Sequence, residues 1–182
     1  IALDEDLIGG ASIDKYQTPI SNEVILKANS SNAILLGGVG GPKWDNLPPK
    51  DKPEKGLLRL RSELDFFANL RPSICFSETS GASTLKKEII DGLDLLIVRE
   101  LTGGIYFGEP REKGDSSAYN TMIYSRDEIK RISEVAFESA MKRDKKLCSV
   151  DKANVLEVSE LWREVVQETA ADYPEVKLDH ML

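Results

Sequence analysis

Short aliphatic runs alternate along this chain with segments whose apolar residues recur at helical spacing. The runs at residues 33–36 and 93–98 have the length and aliphatic content of buried strands. The leucines after Pro53 fall at helical intervals, and residues 69–72 are expected to end that helix, because a residue before a proline avoids the α conformation. This alternation predicts an α/β fold.

The second half of the chain continues the alternation. Residues 105–107 follow two glycines and favour a strand or hairpin arm, so arm-like antiparallel structure is expected between residues 101 and 124. Ser125 and Glu128 have capping-box spacing, which predicts the start of a helix, and a short strand is predicted at residues 148–150. The predicted apolar faces of the last two helices are Ile129, Ile132, Ala136 and Ala140, and Val158, Leu161, Val165 and Val166.

The charge and the cysteine and histidine content of the chain exclude several classes of binding partner and site. Lys and Arg number 24 against 31 Asp and Glu, a net charge of −7, which argues against a nucleic-acid binder or a protein that adheres to acidic membranes. Two cysteines and one histidine exclude a disulfide scaffold and a His/Cys zinc site. No apolar run approaches the roughly 18–20 residues of a membrane span, and no signal-like start is present. We therefore expect a cytoplasmic protein with no nucleic-acid and no membrane partner.

A glycine cluster at residues 37–41 is the first candidate binding element. It begins like a dinucleotide fingerprint but lacks the third glycine, and Pro42 and Trp44 stand where the helix should start. A Rossmann pyrophosphate loop is therefore disfavoured. Two interpretations stay open. The segment is either a surface loop or a cofactor-facing loop of another type, in which the absence of side chains lets backbone N–H groups approach a ligand.

Three arginines are candidates for holding an anion. Arg61 lies on the helix after Pro53, Arg71 follows it, and Arg99 ends the aliphatic run at 93–98. A charge at the carboxyl end of a buried strand lies where open α/β sheets bind ligands. Guanidinium groups can bind carboxylates bidentately, so the trio could orient a small dicarboxylate, although any one arginine could equally be a surface residue.

Tyr106 and Lys152 are the candidates for proton transfer. Tyr106 follows a Gly-Gly turn and Lys152 follows a predicted strand. A phenol can donate a proton and a lysine near apolar surroundings can act as a base. The residues alone leave the alternatives open, a packed aromatic ring for Tyr106 and a solvated strand end for Lys152. His180 is interpreted as structural and the acidic run at residues 4–6 as solvated surface.

Several long segments together resemble the β-decarboxylating dehydrogenases, the isocitrate/isopropylmalate dehydrogenase family. The segments are Gly9-Gly-Ala-Ser-Ile-Asp14, Leu35-Leu-Gly-Gly-Val-Gly-Gly-Pro-Lys-Trp-Asp45, and residues 60–72, 98–110 and 149–157. The resemblance implies NAD-dependent oxidative decarboxylation of a small dicarboxylate. It implies that Arg61, Arg71 and Arg99 bind the substrate carboxylates and that Tyr106 reprotonates the enolate. Lys152 is implied to be the base, reaching in from a partner subunit of a homodimer.

The resemblance also implies which residues contact the γ-substituent of the substrate. Leu57 and Leu58, with Val155 across the subunit interface, match the positions that line the pocket for the γ-substituent. An isopropyl group gains about 0.8 kcal/mol per CH₂ buried against such walls. The extra carboxylate of isocitrate would lose water there without a partner. Isopropylmalate, the substrate of leucine biosynthesis, is therefore favoured over isocitrate. A related β-decarboxylating dehydrogenase that acts on isocitrate, homoisocitrate or tartrate stays as the alternative.

For the cofactor, the resemblance implies NAD together with Mg²⁺ or Mn²⁺. The residues matched to the NAD side are Gly41, Pro42, Lys43, Trp44, Asp45, Glu54 and Asn154. No residue of this chain matches a metal ligand of the family, so those ligands are expected outside it.

Length sets this chain apart from the family pattern. The resemblance implies a two-domain fold that is incomplete here. Residues 1–66 would form part of a discontinuous first domain, and residues 67–182 most of the second, with a dimerisation arm near 101–123. We expect an internal piece of a longer chain, inactive alone. A non-catalytic anion-binding fragment is the rival interpretation.

Overall fold

The computed structural model describes the backbone of residues 1–182 and the side chains of all of them except 79 and 80. The α-helices are α1 (Gly10–Tyr16), α2 (Asn22–Ser30), α3 (Glu54–Glu63), α4 (Lys87–Ile90), α5 (Arg126–Met141) and α6 (Glu157–Ala170). The strands are β1 (Ala68–Ile74), β2 (Asp94–Glu100), β3 (Glu112–Lys113), β4 (Ala118–Tyr119), β5 (Lys146–Val150) and β6 (Lys177–Met181). Short 3₁₀ turns lie at Pro42–Trp44, Pro49–Asp51, Ser77–Ala82 and Gly104–Tyr106. The chain divides into two compact units, Ile1–Phe66 and Phe67–Leu182.

The first unit is built from α1, α2 and α3. Its small core consists of Ile20, Ile25 and Leu60, which are all buried. Gly9 lies in the left-handed region, with φ +67°, and a Cβ there would come within 2.2 Å of the Val39 carbonyl oxygen. Only glycine allows this approach, by which the loop after α2 is fixed against the start of α1.

The buried strand predicted at residues 33–36 is wrong. The segment forms no strand, and its aliphatic side chains are exposed, Leu35 completely. The first unit as described contains no strand with which it could pair. An extended segment without a ladder partner gains neither hydrogen bonds nor a buried face.

The predicted end of the helix after Pro53 is also wrong. α3 stops at Glu63, and residues 69–72 lie inside β1. β1 pairs with β2 in an antiparallel ladder that runs from Ala68 opposite Glu100 to Ile74 opposite Asp94. Pro72 is tolerated because β1 is an edge strand, where a missing N–H can face away from the partner.

The second unit contains three separate two-stranded ladders. β5 and β6 are parallel, β1 and β2 are antiparallel, and β3 and β4 form a short antiparallel hairpin. The hairpin agrees with the arm-like structure expected between 101 and 124. Residues 105–107 are not part of it, and that prediction is wrong. Gly104, with φ +68°, starts a 3₁₀ turn, and its carbonyl accepts from Phe107 N at 3.4 Å and from Gly108 N at 2.9 Å.

Helices α5 and α6 supply most of the core of the second unit. The buried cluster consists of Ile129, Phe137, Ala140, Val165, Val166 and Val176. Phe137 is fully buried and stacks on Tyr173, with ring centroids 5.1 Å apart. The predicted capping box is confirmed, since Ser125 and Glu128 exchange side chain-to-backbone hydrogen bonds at the start of α5. Secondary structure of this composition is α/β, as predicted.

A groove of about 800 Å³ separates β2 from β5. It is lined by the full length of both strands and by residues of α5. Leu95 and Ile97 on β2 and Val150 on β5 are half or more exposed. Arg99 and Tyr106 also line it. Within the described residues, no helix is long and apolar enough to cross a membrane.

Candidate active site

Arg99 and Tyr106 form the centre of a polar cluster in the second unit. Arg99 lies next to last on β2, and the 3₁₀ turn that follows returns the chain so that Tyr106 faces it. The guanidinium carbon of Arg99 lies 5.1 Å from the centroid of the Tyr106 ring. Tyr106 is 53% exposed, so a ligand can reach the phenol. The cluster therefore offers a cation and a proton donor side by side.

Arg71 shares a strand face with Arg99. Asn69 stands opposite Arg99 in the β1–β2 ladder, and Arg71 follows two residues later on β1. Residues two apart on a strand point to the same face, so Arg71 and Arg99 are diagonal neighbours. Asn69 accepts a hydrogen bond from Arg71 Nε. Two guanidinium groups thus face the same side of this ladder.

The arginines change the acidity of the phenol. A hydrogen bond with Arg99 and the charges of Arg99 and Arg71 lower the pKa of Tyr106 from its ordinary value. Tyr124 is the opposite case, because burial, and then the nearby Glu100 and Glu128 carboxylates, raise its pKa to about 12. The same unit therefore holds one phenol adapted to release a proton and one that keeps it.

We predict that Tyr106 ionises before Tyr124 when the pH is raised. NMR of the chain with ¹³C-labelled tyrosine rings measures both midpoints. Arg99→Met should move the Tyr106 midpoint upward, because the favoured anion loses its nearest cation. Arg143→Met, which removes a cation bound to Asp94 at 2.7 Å, should leave it in place. A Tyr106 midpoint at or above that of Tyr124 would contradict this assignment.

Glu100 holds the turn between Arg99 and Tyr106. Its side chain is 1% exposed. Oε1 accepts from the backbone and hydroxyl of Thr102 at 2.9 and 2.8 Å, and Oε2 accepts from Gly103 N at 2.9 Å. Gly104 must be glycine as well, because a Cβ there would come within 2.4 Å of the Tyr124 oxygen. The position of Tyr106 is therefore set by a buried carboxylate, which the sequence analysis did not identify.

Lys152, Asn154 and Val155 lie in the turn between β5 and α6, and all three are exposed. The Lys152 carbonyl accepts from Val155 N and Leu156 N, each at 3.0 Å. Among the described side chains of this single chain, Lys152 makes no hydrogen bond or ion pair with Arg71, Arg99 or Tyr106. The turn thus presents an amine and an amide outward.

Helix α3 of the first unit carries three of the predicted substrate residues. Leu57, Leu58 and Arg61 are each half-buried. Leu57 and Arg61 are four residues apart and so lie on one face of the helix. An aliphatic wall and a guanidinium group therefore share one face of α3.

The predicted cofactor loop is organised around Asp14, for which the sequence pattern predicts no role. Asp14 Oδ2 accepts from Lys43 Nζ at 2.6 Å and Oδ1 accepts from Trp44 Nε1 at 3.2 Å. The hydrogen bond from Lys43 is the main reason that the pKa of Asp14 is lowered. Trp44 packs on Gly10, where a Cβ would come within 2.4 Å of the ring.

Glu54 approaches the same loop from the start of α3. A Cβ on Gly40 would lie 2.8 Å from Glu54 Oε1, so the carboxylate adjoins bare backbone. Gly37 and Gly38 have no atom within contact distance of such a Cβ, and the loop surface there is open. A carboxylate beside open glycine backbone can bind a ligand rich in hydroxyl and phosphate groups.

The whole chain matches one known family. The profile described as isocitrate/isopropylmalate dehydrogenase covers residues 1–182. The chain belongs to this family. The fold of this family therefore includes the Arg99–Tyr106 cluster, the α3 face with Leu57 and Arg61, and the predicted cofactor loop bound to Asp14.

Two similar curated relatives carry the same name. A protein of Hydrogenovibrio crunogenus named 3-isopropylmalate dehydrogenase is 58% identical over 186 residues, which cover 100% of this chain and 52% of the relative. A protein of Saccharophagus degradans with the same name is 55% identical, with the same coverage. This chain therefore spans about half the length of the curated relatives it matches.

Solved structures agree with the fold. The crystal structure of isocitrate dehydrogenase from Methylococcus capsulatus has a TM-score of 0.72 at 28% identity and covers 96% of this chain and 49% of its own. A Thermus thermophilus protein gives a TM-score of 0.77 at 22% identity over 95% of this chain and 34% of its own. The predicted fold class is thereby confirmed.

Proposed function

We propose that this chain is part of an NAD-dependent 3-isopropylmalate dehydrogenase of leucine biosynthesis. The observation that carries the proposal is the Arg99–Tyr106 stack with Arg71 on the same ladder face. The names of the relatives, 55–58% identical over nearly the whole chain, support the choice within the family. A cytoplasmic location belongs to the same proposal.

Substrate binding is assigned to the guanidinium groups. Arg71 and Arg99 bind the malate carboxylates of the substrate through charge-assisted hydrogen bonds, and Arg61 on α3 contributes a third cation. The planar fork of each arginine orients a carboxylate more firmly than an ammonium group would. The substrate is thereby held with its hydroxyl-bearing carbon fixed.

Proton transfer is assigned to Tyr106 and Lys152. Lys152 accepts the proton of the substrate hydroxyl as hydride leaves the same carbon, and decarboxylation of the resulting β-keto acid gives an enolate. Tyr106 then donates its phenolic proton to the enolate carbon, and Arg99 stabilises the tyrosinate that forms. Lys152 is proposed to act on the substrate of a partner subunit, so the working enzyme is a homodimer joined through the arm near 101–123.

The proposed cofactor residues are those of the glycine loop, with Glu54 at the start of α3 and Asn154 in the turn after β5. Glu54 beside Gly40, the Asp14-bound Lys43 and Trp44, and Asn154 suit NAD, whose ribose hydroxyls and phosphates need acceptors and cationic or backbone donors. NAD, when bound, accepts the hydride. Among the described residues of this single chain, no group of three or more His, Cys, Asp or Glu is placed to hold a metal ion. We propose that the ligands of Mg²⁺ or Mn²⁺ lie outside these residues.

A chimera tests the proposal. Residues 1–182 replace the matching segment of the Hydrogenovibrio crunogenus relative, and NAD reduction is followed with 3-isopropylmalate or isocitrate. We expect kcat/KM to favour 3-isopropylmalate by about 100-fold or more, because an apolar pocket desolvates the extra carboxylate. Preference for isocitrate would indicate another dehydrogenase of the family. No turnover, with the parent relative active, would support the non-catalytic interpretation.

Leu57→Ser in this chimera tests the apolar wall. Loss of about 1.5–3 kcal/mol of side-chain burial should lower kcat/KM for 3-isopropylmalate roughly 10- to 100-fold. Leu26→Ser on α2, where the leucine is 70% exposed, is the matched control and should change little. Equal effects of the two substitutions would remove the specificity argument.

A further inference from the structure

A buried carboxylate holds the turn after β5. The side chain of Asp151 is 2% exposed. Its Oδ1 accepts from Ala153 N at 2.9 Å, inside the turn that carries Lys152 and Asn154. Arg163 on α6 binds both oxygens, with Nε 3.0 Å from Oδ2 and Nη2 2.8 Å from Oδ1. The turn is therefore tied to α6 through one carboxylate.

The backbone of Asp151 is fixed from the other side by β6. Asp151 N donates to the Met181 carbonyl at 3.0 Å. His180 Nδ1 lies 3.9 Å from Asp151 Oδ2, in a side chain that is 20% exposed. Together with the hydrogen bonds that the Lys152 carbonyl accepts, these contacts determine the backbone on both sides of Lys152.

The Asp151 carboxyl is stabilised in its ionised form. Burial raises the pKa of Asp151, but the hydrogen bonds from Arg163 and Ala153 and the charge of Arg163 outweigh it, and the net pKa lies below the ordinary value. A buried ion pair adds little net stability compared with apolar side chains of similar volume. A bidentate ion pair does fix the relative orientation of its two residues. Here it fixes the backbone of the turn that carries the proposed base, Lys152.

We infer that Asp151 and Arg163 are positioning residues for Lys152 and Asn154. The inference rests on the proposed function, in which Lys152 accepts a proton. The Lys152 side chain is long and exposed. The position of its amine therefore depends on how firmly the backbone of the turn is held. A displacement of about 1 Å at such a group can lower a rate by about 100-fold.

Amide hydrogen exchange of the 182-residue chain tests whether the pair holds the turn. We expect Asp151→Asn and Arg163→Lys to speed exchange of the Ala153 amide about 10- to 100-fold, the factor for weakening a hydrogen bond to a charged acceptor. Glu175→Gln, which breaks the exposed Lys145–Glu175 pair, is the matched control and should leave it unchanged. The Phe137 amide in α5 serves as the internal reference.

If Asp151→Asn prevents folding because the partly buried Arg163 loses its partner, Arg163→Lys decides the result. Lysine keeps the charge but cannot form the fork. Ala153 exchange that is unchanged in a folded Arg163→Lys variant would overturn the inference.

A double-mutant cycle in the chimera tests whether the pair acts through Lys152. Asp151→Asn should lower kcat about 10- to 100-fold while KM for 3-isopropylmalate stays within about twofold. In a Lys152→Ala background it should cost nothing further, because the two residues act as a unit. A full additional loss would show a purely structural role and overturn the inference. If Lys152→Ala itself leaves kcat unchanged, the proposed function fails, and the Ala153 exchange still reports whether Asp151 holds the turn.

Discussion

Tyr106→Phe should lower kcat of the chimera with 3-isopropylmalate about 100- to 10,000-fold, the range for loss of a general acid or base. Phenylalanine keeps the ring that stacks on Arg99 and removes only the oxygen whose pKa the arginines lower. Substrate binding by Arg71 and Arg99 is left intact, so KM should change by much less than kcat. Steady-state kinetics of NAD reduction measures both quantities.

Tyr119→Phe is the matched control for this substitution. Tyr119 lies on β4 and is 50% exposed, against 53% for Tyr106, and its hydroxyl is 3.4 Å from Glu112. The same oxygen is removed at a site of nearly equal exposure in the arm, where the hydroxyl contacts Glu112, so the control also reports any effect of the arm on kcat. A Tyr106→Phe enzyme with the kcat of the control would exclude the phenol as the proton donor.

Phe137→Ala should lower the free energy of unfolding by about 3–5 kcal/mol, the usual cost of a large aromatic side chain removed from a core. Phe137 on α5 is completely buried in the cluster that includes Val165 and Val166 of α6, and it stacks on Tyr173 with ring centroids 5.1 Å apart. Its loss leaves a cavity and removes the stacked pair. Urea denaturation of the 182-residue chain, followed by far-UV circular dichroism, measures the change.

Phe76→Ala provides the comparison in the same unit. The Phe76 side chain is 61% exposed, so its removal should cost about 1 kcal/mol or less. Equal losses at the two positions would mean that the α5–α6 cluster does not carry the stability of this unit.

Elements with strong local signals were predictable from the sequence. The capping box fixes the start of α5, and the aliphatic run at 93–98 became β2. The apolar spacing after residue 157 became α6. For the two helices the deciding interactions lie within a few residues of one another, and for β2 the aliphatic run is itself continuous, so a single sequence contains these signals.

Elements that depend on a distant partner were not predictable. Residues 33–36 look like a strand but have none to pair with in their unit, and β1 forms despite Pro72 because β2 lies beside it. The convergence of Arg71, Arg99 and Tyr106 was implied by the family motifs, since spacing alone left each arginine as a possible surface residue. Asp14, Glu100 and Asp151 were not identified as supporting groups. Two of them depend on partners far along the chain, 29 residues away for Asp14 with Lys43.

The groove between β2 and β5 has a consequence for handling the purified chain. The edges of β2 and β5 that face the groove have unpaired backbone groups, and the exposed side chains between them are aliphatic. Such strand edges can pair with those of another copy and cause aggregation. Charged residues at the ends of the groove oppose this pairing. They are Asp94 with Arg143 at the start of β2, and Lys146 at the start of β5. Colloidal repulsion from the net charge of −7 opposes the same process, so solubility should deteriorate as the buffer approaches the isoelectric point near 4.9.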